Sequence, residues 1–565
     1  MNEQIAGIAE RLWTQIATQK PTGANLFGDH DHDNEIEDYS EEGEAALIAG
    51  YRQLIADAEA IDPGGLEHQD RLTRDIAIHE AESHLLELEG KTREFAVDPM
   101  IGIHVTLPSY APMRSVVTEE HASATVEKYG KVGTLFDQAI ARLKTGVDTG
   151  RTPPRILVDK TLSQLNRYID SPLDDDPFLR PMAPESFSPE QEAAWRQELR
   201  DQLETVIRPG FERYRDAVRD VVAGATRTNE QVGVGWLPDG EELYAKAIKK
   251  YTTLDLAAEE IHQIGLDTMA ALQDEYLTLG SKVLGTTDLA EIYSRLRQDQ
   301  ELRFTSSDDI IAAAKLATAR AEAAAPDWFN KRPKQSCLVK PIPELESKEA
   351  PLAYYMPPAL DGSRPGTFLV NTHDPKNLTK YEIEALAFHE GVPGHHFHIA
   401  LNQEIEGLPL FRTHGMLYSH IEGWGLYCER LADEMGLYSG DLEKMGMLSF
   451  DSWRAGRLVV DTGMHALGWS RQKAIDYLVD NSPQQVTNIE NEVDRYIGYF
   501  GQALSYMMGR REIMRVRDKA KTALGDKFNI KGFHDTVLGS GPVTLPILDR
   551  LVNEWVEASA QERRA

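Results

Sequence analysis

Six of the chain's 17 histidines fall between residues 389 and 420: His389, His395, His396, His398, His414 and His420. Carboxylates stand among them at Glu390, Glu422 and Glu429. Two imidazoles and one carboxylate form the donor set of many catalytic zinc centres, which keep a fourth position for water. Such centres acidify water and polarise carbonyls, so the chemistry suggested is hydrolysis. The common arrangement is H-E-x-x-H, with histidines at i and i+4 on one helix face and a glutamate base between them. Here the run is His389-Glu390-Gly391-Val392-Pro393-Gly394-His395-His396, and Pro393 occupies i+4. On a straight helix His395 would lie about 240° around from His389, and His396 two turns away. A second ligand must therefore arrive by another route.

Pro393 itself provides one. It lacks an N–H, its ring clashes with the His389 carbonyl, and it pushes Val392 out of the α region. Gly394 permits dihedrals closed to other residues. This step is expected to bulge the chain and return a later histidine toward His389. His395, directly after the glycine, is the expected second ligand and His396 the alternative. The helix bearing His389 is expected to start near 380 from a capping box, Thr379-Lys380-Tyr381-Glu382, and to bury Ile383, Leu386 and Ala387. A return helix is expected around Ser419–Tyr427, with Ile421, Trp424, Cys428 and Leu431 as its apolar stripe. It carries Glu422, 27 residues after His395, as the third ligand. The expected metal set is thus His389, His395 (alternative His396) and Glu422 around one divalent ion, zinc or another divalent metal. Glu390 is the expected general base. Glu429 is either a support for the ligands or an alternative ligand. His420 is either a donor behind the ligands or a substrate contact.

Other residues offer weaker patterns. Arg457, Asp461 and His465 recur at four-residue intervals on one helix face, as a structural ion pair or with Arg457 anchoring a substrate carboxylate. Arg495, Arg510 and Arg511 are further guanidinium anchors for a carboxylate. The short run Phe368–Asn371 suggests a strand able to bind peptide by edge pairing. DHDHD from Asp29 to Asp33 has the right residue types for a metal. Adjacent ligands on an acidic turn rarely converge on one ion, so a solvated loop is expected there.

The elements that must position these groups are mostly helical. Long apolar spacing with good helix formers covers 115–148, 188–227 and 241–279, and an alanine-rich helix is expected near 307–325. A proline-rich loop, SPLDDDPFLRPMAPESFSPE, starts at 171. Between 335 and 375, SCLVKPIPE, LAYYMPP and GTFLVNT read as short strands of a small sheet. The expected fold is mainly α. It comprises an N-terminal helical region (1–334), a small β insert (335–375) and a C-terminal helical region (376–565) carrying the site, together forming one large helical body. The 565 residues are 41% hydrophobic and 27% charged, enough for a substantial core and against disorder. The net charge of −31 argues against nucleic acid and anionic lipid as partners. Two cysteines make no disulfide framework. No apolar run is long enough to span a membrane, and the N-terminal residues do not look like a secretory signal. A cytoplasmic protein is expected.

Five segments resemble the bacterial family catalogued as domain of unknown function 885: HEGVPGHH (389–396), HIEGWGLY (420–427), DTGMHALGWSRQKAIDYL (461–478), RYIGYFGQALSYMMG (495–509) and the tail VLGSGPVTLPILDRLV. That family in turn resembles the carboxypeptidase Taq group of helical, gluzincin-like zinc peptidases, where an HExxH helix is followed by a glutamate ligand about as far on as Glu422. An R-x-x-x-D pattern there is similar to Arg457 and Asp461, with a nearby histidine like His465. A G-Y-F segment is similar to Gly498-Tyr499-Phe500, with Tyr506 beyond it. The resemblance implies a helical fold with a long active-site cleft, a homodimer, and peptide or small amide substrates. It also suggests Tyr506 and His465 as hydrogen-bond donors to the developing oxyanion. The bland alternative for Tyr506 is a core aromatic with a satisfied hydroxyl. The function expected is a zinc-dependent, carboxypeptidase-like metallopeptidase. Two others stay open: a metal-dependent amide or ester hydrolase on non-peptide substrates, and a non-catalytic peptide-binding protein that keeps the cleft.

Overall fold

Helices begin where the sequence places small polar caps. Ser40, Thr118, Ser188 and Ser306 each accept a hydrogen bond from a backbone N–H of the first turn that follows. A computed structural model describes residues 1–344, 351–358 and 364–561. It is 71% helical with one small sheet, which makes the chain mainly α. None of the helices among the described residues is long and apolar enough to cross a membrane.

The chain divides into two compact units. One comprises Met1–Leu243 with Gly468–Gln472, the other Tyr244–Leu467 with Lys473–Ala565. Residues 244–334, grouped with the N-terminal half on sequence grounds, cluster instead with the second unit, because the helix Ala258–Val283 packs along Asp441–His465.

In the first unit the helix Glu119–Thr149 packs on a long helix built from Pro189–Gln202 and Arg208–Ala217, with π turns at Leu203–Ile207 and Val218–Val222. Phe136 meets Phe211 there with ring centroids 4.7 Å apart, inside a cluster that includes Leu203, Ile207 and Tyr214. The proline-rich segment after 171 is not merely a surface loop. Asp176 within it is fully buried and pairs with Arg208 at 2.6 Å. The DHDHD run also departs from a solvated turn. Asp33 is buried, accepts from Asn25 at 2.6 Å and His30 at 2.8 Å, and lies 3.2 Å from the Arg114 guanidinium.

The expected helix 241–279 is two, Gly240–Thr252 and Ala258–Val283. The break falls where Thr253 takes a positive φ of 59° and the Thr252 hydroxyl accepts the Leu254 N–H. The helix Asp441–His465 is buried around most of its circumference from Met445 onward, as expected of a central element. The helices Tyr418–Glu434 and Ser505–Leu524 cross at Gly423 and Gly509. A Cβ added at Gly509 would sit 1.8 Å from the Ser419 carbonyl oxygen, so this approach excludes any side chain.

The three β-prone runs form β1 (Leu338–Pro341), β2 (Ala353–Met356) and β3 (Thr367–Val370). The order is β1-β3-β2, with β1 parallel and β2 antiparallel to β3, and Val339 and Tyr355 both paired with Phe368. The expectation that Phe368–Asn371 pairs with peptide at a sheet edge is therefore corrected. β3 is the central strand, with both hydrogen-bonding sides occupied.

Candidate metal centre

The helix that leads to His389 starts later than the capping box suggests. Thr379 and Glu382 join side chain to side chain at 2.5 Å, and Glu382 also accepts from Ser449 and Gln484 in the core. Regular helix covers only Ile383–Leu386, followed by a π turn over Ala387–Gly391 that presents His389 and Glu390. Val392 is then extended, the Val392–Pro393 bond is cis, and a new helix, His395–Gln403, starts directly after Gly394. Gly394 is sterically required. Its missing Cβ would lie 1.9 Å from the His389 carbonyl oxygen, so only glycine lets the chain fold back this tightly.

The return helix clamps this step. Trp424 donates its indole N–H to the carbonyls of Pro393 and Gly394 at 2.9 and 3.2 Å, and the buried Cys428 thiol points at the same Pro393 oxygen. Next to Trp424 in sequence, Gly425 has no side chain where the His389 ring rests. A Cβ there would meet that ring at 2.8 Å. The apolar stripe of the return helix thus also registers Glu422 against the broken helix.

These placements bring His389, His395 and Glu422 together. His389 Nε2 lies 3.7 Å and His395 Nε2 3.5 Å from Glu422 Oε2, and one ligand atom from each of the three lies within 4.8 Å of the others. Ligands roughly 2.1 Å from a tetrahedral zinc lie about 3.4 Å apart, so the donor set and its spacing fit a divalent ion. The far nitrogen of His389 is also engaged, as metal-bound histidines require. Its Nδ1–H donates to Glu429 Oε1 at 2.7 Å, and Glu429 is completely buried. Burial opposes a charged imidazole, but Glu422 and Glu429 outweigh it and push the His389 pKa up to about 9. Burial likewise opposes a charge on Glu422, yet His389 and His395 hold its carboxyl well below the usual carboxylate range.

His396, the alternative ligand, turns elsewhere. Its Nε2 donates to the Gln335 carbonyl and its Nδ1 accepts from the Tyr355 hydroxyl, both at 2.9 Å. Burial lowers its pKa to about 4. His420 is also fully buried, its Nδ1 accepting from the Val543 N–H at 2.9 Å and its ring 4.7 Å from that of His398. His414 is not one of the three converging groups. Glu390 is half-buried beside His389, close enough for its charge to act on that imidazole.

Tyr506 lies on the helix that crosses the return helix three residues later, at Gly509. Burial and the nearby Glu422 charge raise its pKa. His465 does not join it. Its Nε2 donates to the Tyr496 carbonyl at 3.0 Å, so that polarity is taken by a neighbouring helix. Arg457 pairs with Glu492 at 2.9 Å rather than with Asp461 and donates to the Tyr496 hydroxyl at 2.7 Å. Asp461 instead accepts from the Tyr244 hydroxyl and the Gly501 N–H. Arg510 is committed to Asp451, which also holds Arg430. Arg495 is committed to Glu492 and Gln502. Arg511 is exposed. Arg454 was not singled out from the sequence, although it precedes Arg457 by one helical turn. Its guanidinium lies 4.5 Å from the Phe450 ring centroid and 5.9 Å from that of Tyr506.

The family described as bacterial protein of unknown function (DUF885) matches residues 21–552. The chain belongs to it. Among solved structures, this DUF885 member is similar to the "putative lipoprotein" from Colwellia psychrerythraea, with 25% identity over 98% of this chain and 99% of that chain and a TM-score of 0.89. It also shares its fold with a "putative lipoprotein of unknown function" from Shewanella oneidensis, at 16% identity over 97% of this chain and 99% of that one, with a TM-score of 0.78. No curated protein matches the DUF885 chain.

Proposed function

We propose that this chain is a metal-dependent peptidase, with zinc as the expected ion, held by His389, His395 and Glu422. The observation that carries this reading is the convergence of two imidazole nitrogens and one carboxylate oxygen within 4.8 Å, with Glu429 behind His389. The motif resemblance to the carboxypeptidase Taq group supports peptides as substrates. When bound, such an ion supplies a Lewis acid that brings the pKa of water to about 7 and polarises a carbonyl.

The chain's own groups do the rest. Glu390, adjacent to His389, takes the proton of the attacking water and passes it to the departing amine as the C–N bond breaks. The Tyr506 hydroxyl stays protonated and donates a hydrogen bond to the carbonyl oxygen as negative charge gathers there. Glu429 fixes the ring orientation of His389 and so the direction of its donor nitrogen.

The test separates metal from catalysis. Glu390→Gln should keep one ion per chain by elemental analysis and lose peptide hydrolysis by 100-fold or more, the order of a general-base contribution. His389→Ala should lose the ion. Equal turnover by Glu390→Gln and the parent would remove Glu390 as the base. A parent that takes up no zinc, cobalt or manganese would overturn the metal reading itself.

A further inference from the structure

The far nitrogen of His389 has Glu429 behind it, but the far nitrogen of His395 has no such support. His395 is buried, and its Nδ1 has no hydrogen-bond partner among the described residues. One turn on along the same helix, His398 is fully buried, and neither of its ring nitrogens has a partner among those residues. The ring of His420, on the return helix, lies 4.7 Å from that of His398. It too is fully buried, with Nε2 unpartnered among the described residues. His398 lies close enough to both neighbours to feel a charge on either imidazole. Two packed helices thus gather three imidazoles whose open nitrogens no described residue meets.

Buried polar atoms are costly when unpaired, so such a group needs a resident that satisfies it. The positions of the protons decide which. The Val543 N–H donates to His420 Nδ1 at 2.9 Å, which puts the His420 proton on Nε2 and makes that atom a donor. His395 turns Nε2 toward Glu422 at 3.5 Å, and when that nitrogen binds an ion the ring proton sits on Nδ1, a second donor. His398 is held neutral by burial and by its two imidazole neighbours, so it offers one acceptor nitrogen. Two donors therefore share one imidazole acceptor, yet none of these nitrogens bonds another directly. One water spans the gap. It accepts from His395 and His420 and donates to His398, the roughly three bonds usual for a buried water.

We propose that His398 is the positioning residue of His395: through one bound water it accepts the His395 Nδ1–H and so fixes the direction of Nε2, with His420 holding the same water from the return helix. This rests on the metal reading above and extends it to the support of the second ligand. The two ligands are then backed differently. Glu429 places a carboxylate behind His389, whereas a neutral imidazole and a water stand behind His395. A carboxylate raises the basicity of the histidine it holds, so His395 is the weaker donor of the pair and depends more on being aimed correctly. His398 itself touches neither ion nor substrate.

The full-length chain is compared with His398→Leu and His398→Gln, each loaded with zinc or with cobalt. His398→Leu removes the acceptor and should weaken zinc binding by about tenfold or more in a chelator-competition titration, the size of effect typical of supports behind metal-bound histidines. Its cobalt absorption bands should shift from those of the parent. His398→Gln keeps an acceptor, so it should bind zinc within about threefold of the parent and restore the parent's cobalt bands. The metal-free leucine variant should unfold in urea at or above the parent's midpoint, because it no longer buries unpaired nitrogens. A purely structural histidine would instead lower that midpoint and leave the affinity of the folded chain unchanged. His398→Met is the second apolar variant in case leucine does not fold. Zinc binding by either apolar variant equal to the parent's overturns the proposal and leaves the centre standing. A glutamine variant as weak as the leucine one overturns it too. A parent that takes up neither zinc nor cobalt removes the centre, and the role of His398 with it.

Discussion

The most local test of the candidate centre lies outside the histidine run, at Gly425. A methyl group there would meet Cε1 and Nε2 of His389 at 2.8 Å. Ordinary carbon contacts are about 3.5–4.0 Å, so the ring or the helix must yield by roughly 0.7 Å or more. Metal distances tolerate only about 0.2 Å before coordination fails. Gly425→Ala should therefore weaken zinc binding by at least 100-fold, about 2.7 kcal/mol, in a chelator-competition titration. Overpacking should also destabilise the chain by about 1–3 kcal/mol. Gly391→Ala is the matched control. It lies two residues from His389 in sequence, yet its added methyl would find its nearest neighbour, the Thr318 hydroxyl, at 3.6 Å, an ordinary contact. That variant should bind zinc within about threefold of the parent, since no ligand has to move. If Gly425→Ala bound zinc like the parent, His389 Nε2 would not be a ligand in the position described. If Gly391→Ala were the damaging change, proximity in sequence rather than the packing of the return helix would govern the centre.

Two further predictions follow from buried carboxylates. Glu429→Ala, which removes the acceptor 2.7 Å from His389 Nδ1, should lower zinc affinity about 10–100-fold in the same titration. Unchanged affinity would reduce Glu429 to a packing residue. Asp461 has its pKa raised from 3.8 to about 7, chiefly by burial, so its proton is held more tightly in the folded chain than in the unfolded one. The stability this contributes is complete below about pH 4 and is lost as pH rises to about 7. Asp461→Asn should therefore gain on the parent by about 2.7 kcal/mol between pH 5 and 8 in urea melts. A parent–variant difference that stays constant across that range would contradict the burial of a titrating carboxyl there.

The centre was legible where spacing carries physical meaning. Pro393 cannot continue a helix and Gly394 can fold back, so the return of a second imidazole toward His389 just after them followed from backbone chemistry. Ile421, Trp424, Cys428 and Leu431 announced a return helix at helical spacing, and Glu422 is carried on it. The β insert was visible because its β-prone runs lie between proline and glycine breaks. What sequence spacing did not carry was partner choice. Arg457 and Asp461 share a helix face, yet each finds its partner on a different helix, Glu492 for one and Tyr244 for the other. The order of strands in the sheet is likewise a long-range property, and so Phe368–Asn371 looked as free to pair as either neighbour. Asp33 sits in a run expected to be a solvated loop and Asp176 in one expected to be a proline-rich loop, and both are buried with the help of arginines distant in sequence, Arg114 and Arg208. Arg454 was missed for the opposite reason. Its distinction is the lack of an acidic partner among the described residues, which no local pattern of residues expresses.

The proline that breaks the expected motif also changes how the centre is held. In an unbroken helix, two histidines four apart are oriented by the same backbone hydrogen bonds, and the helix needs little outside support. Here His389 closes a π turn and His395 opens a new helix, so no continuous ladder fixes one relative to the other. Their relation depends on the Trp424 indole bridging to Pro393 and Gly394, and on the bare backbone of Gly425 seating the His389 ring. Both residues belong to the helix that supplies Glu422. A single element therefore provides the third donor and aligns the other two. Since this helix packs against Ser505–Leu524 through the glycine crossing, Tyr506 is registered by the same contact. The histidine run alone, excised or grafted onto another helix, would lack the clamp that turns its broken geometry into a set of converging donors.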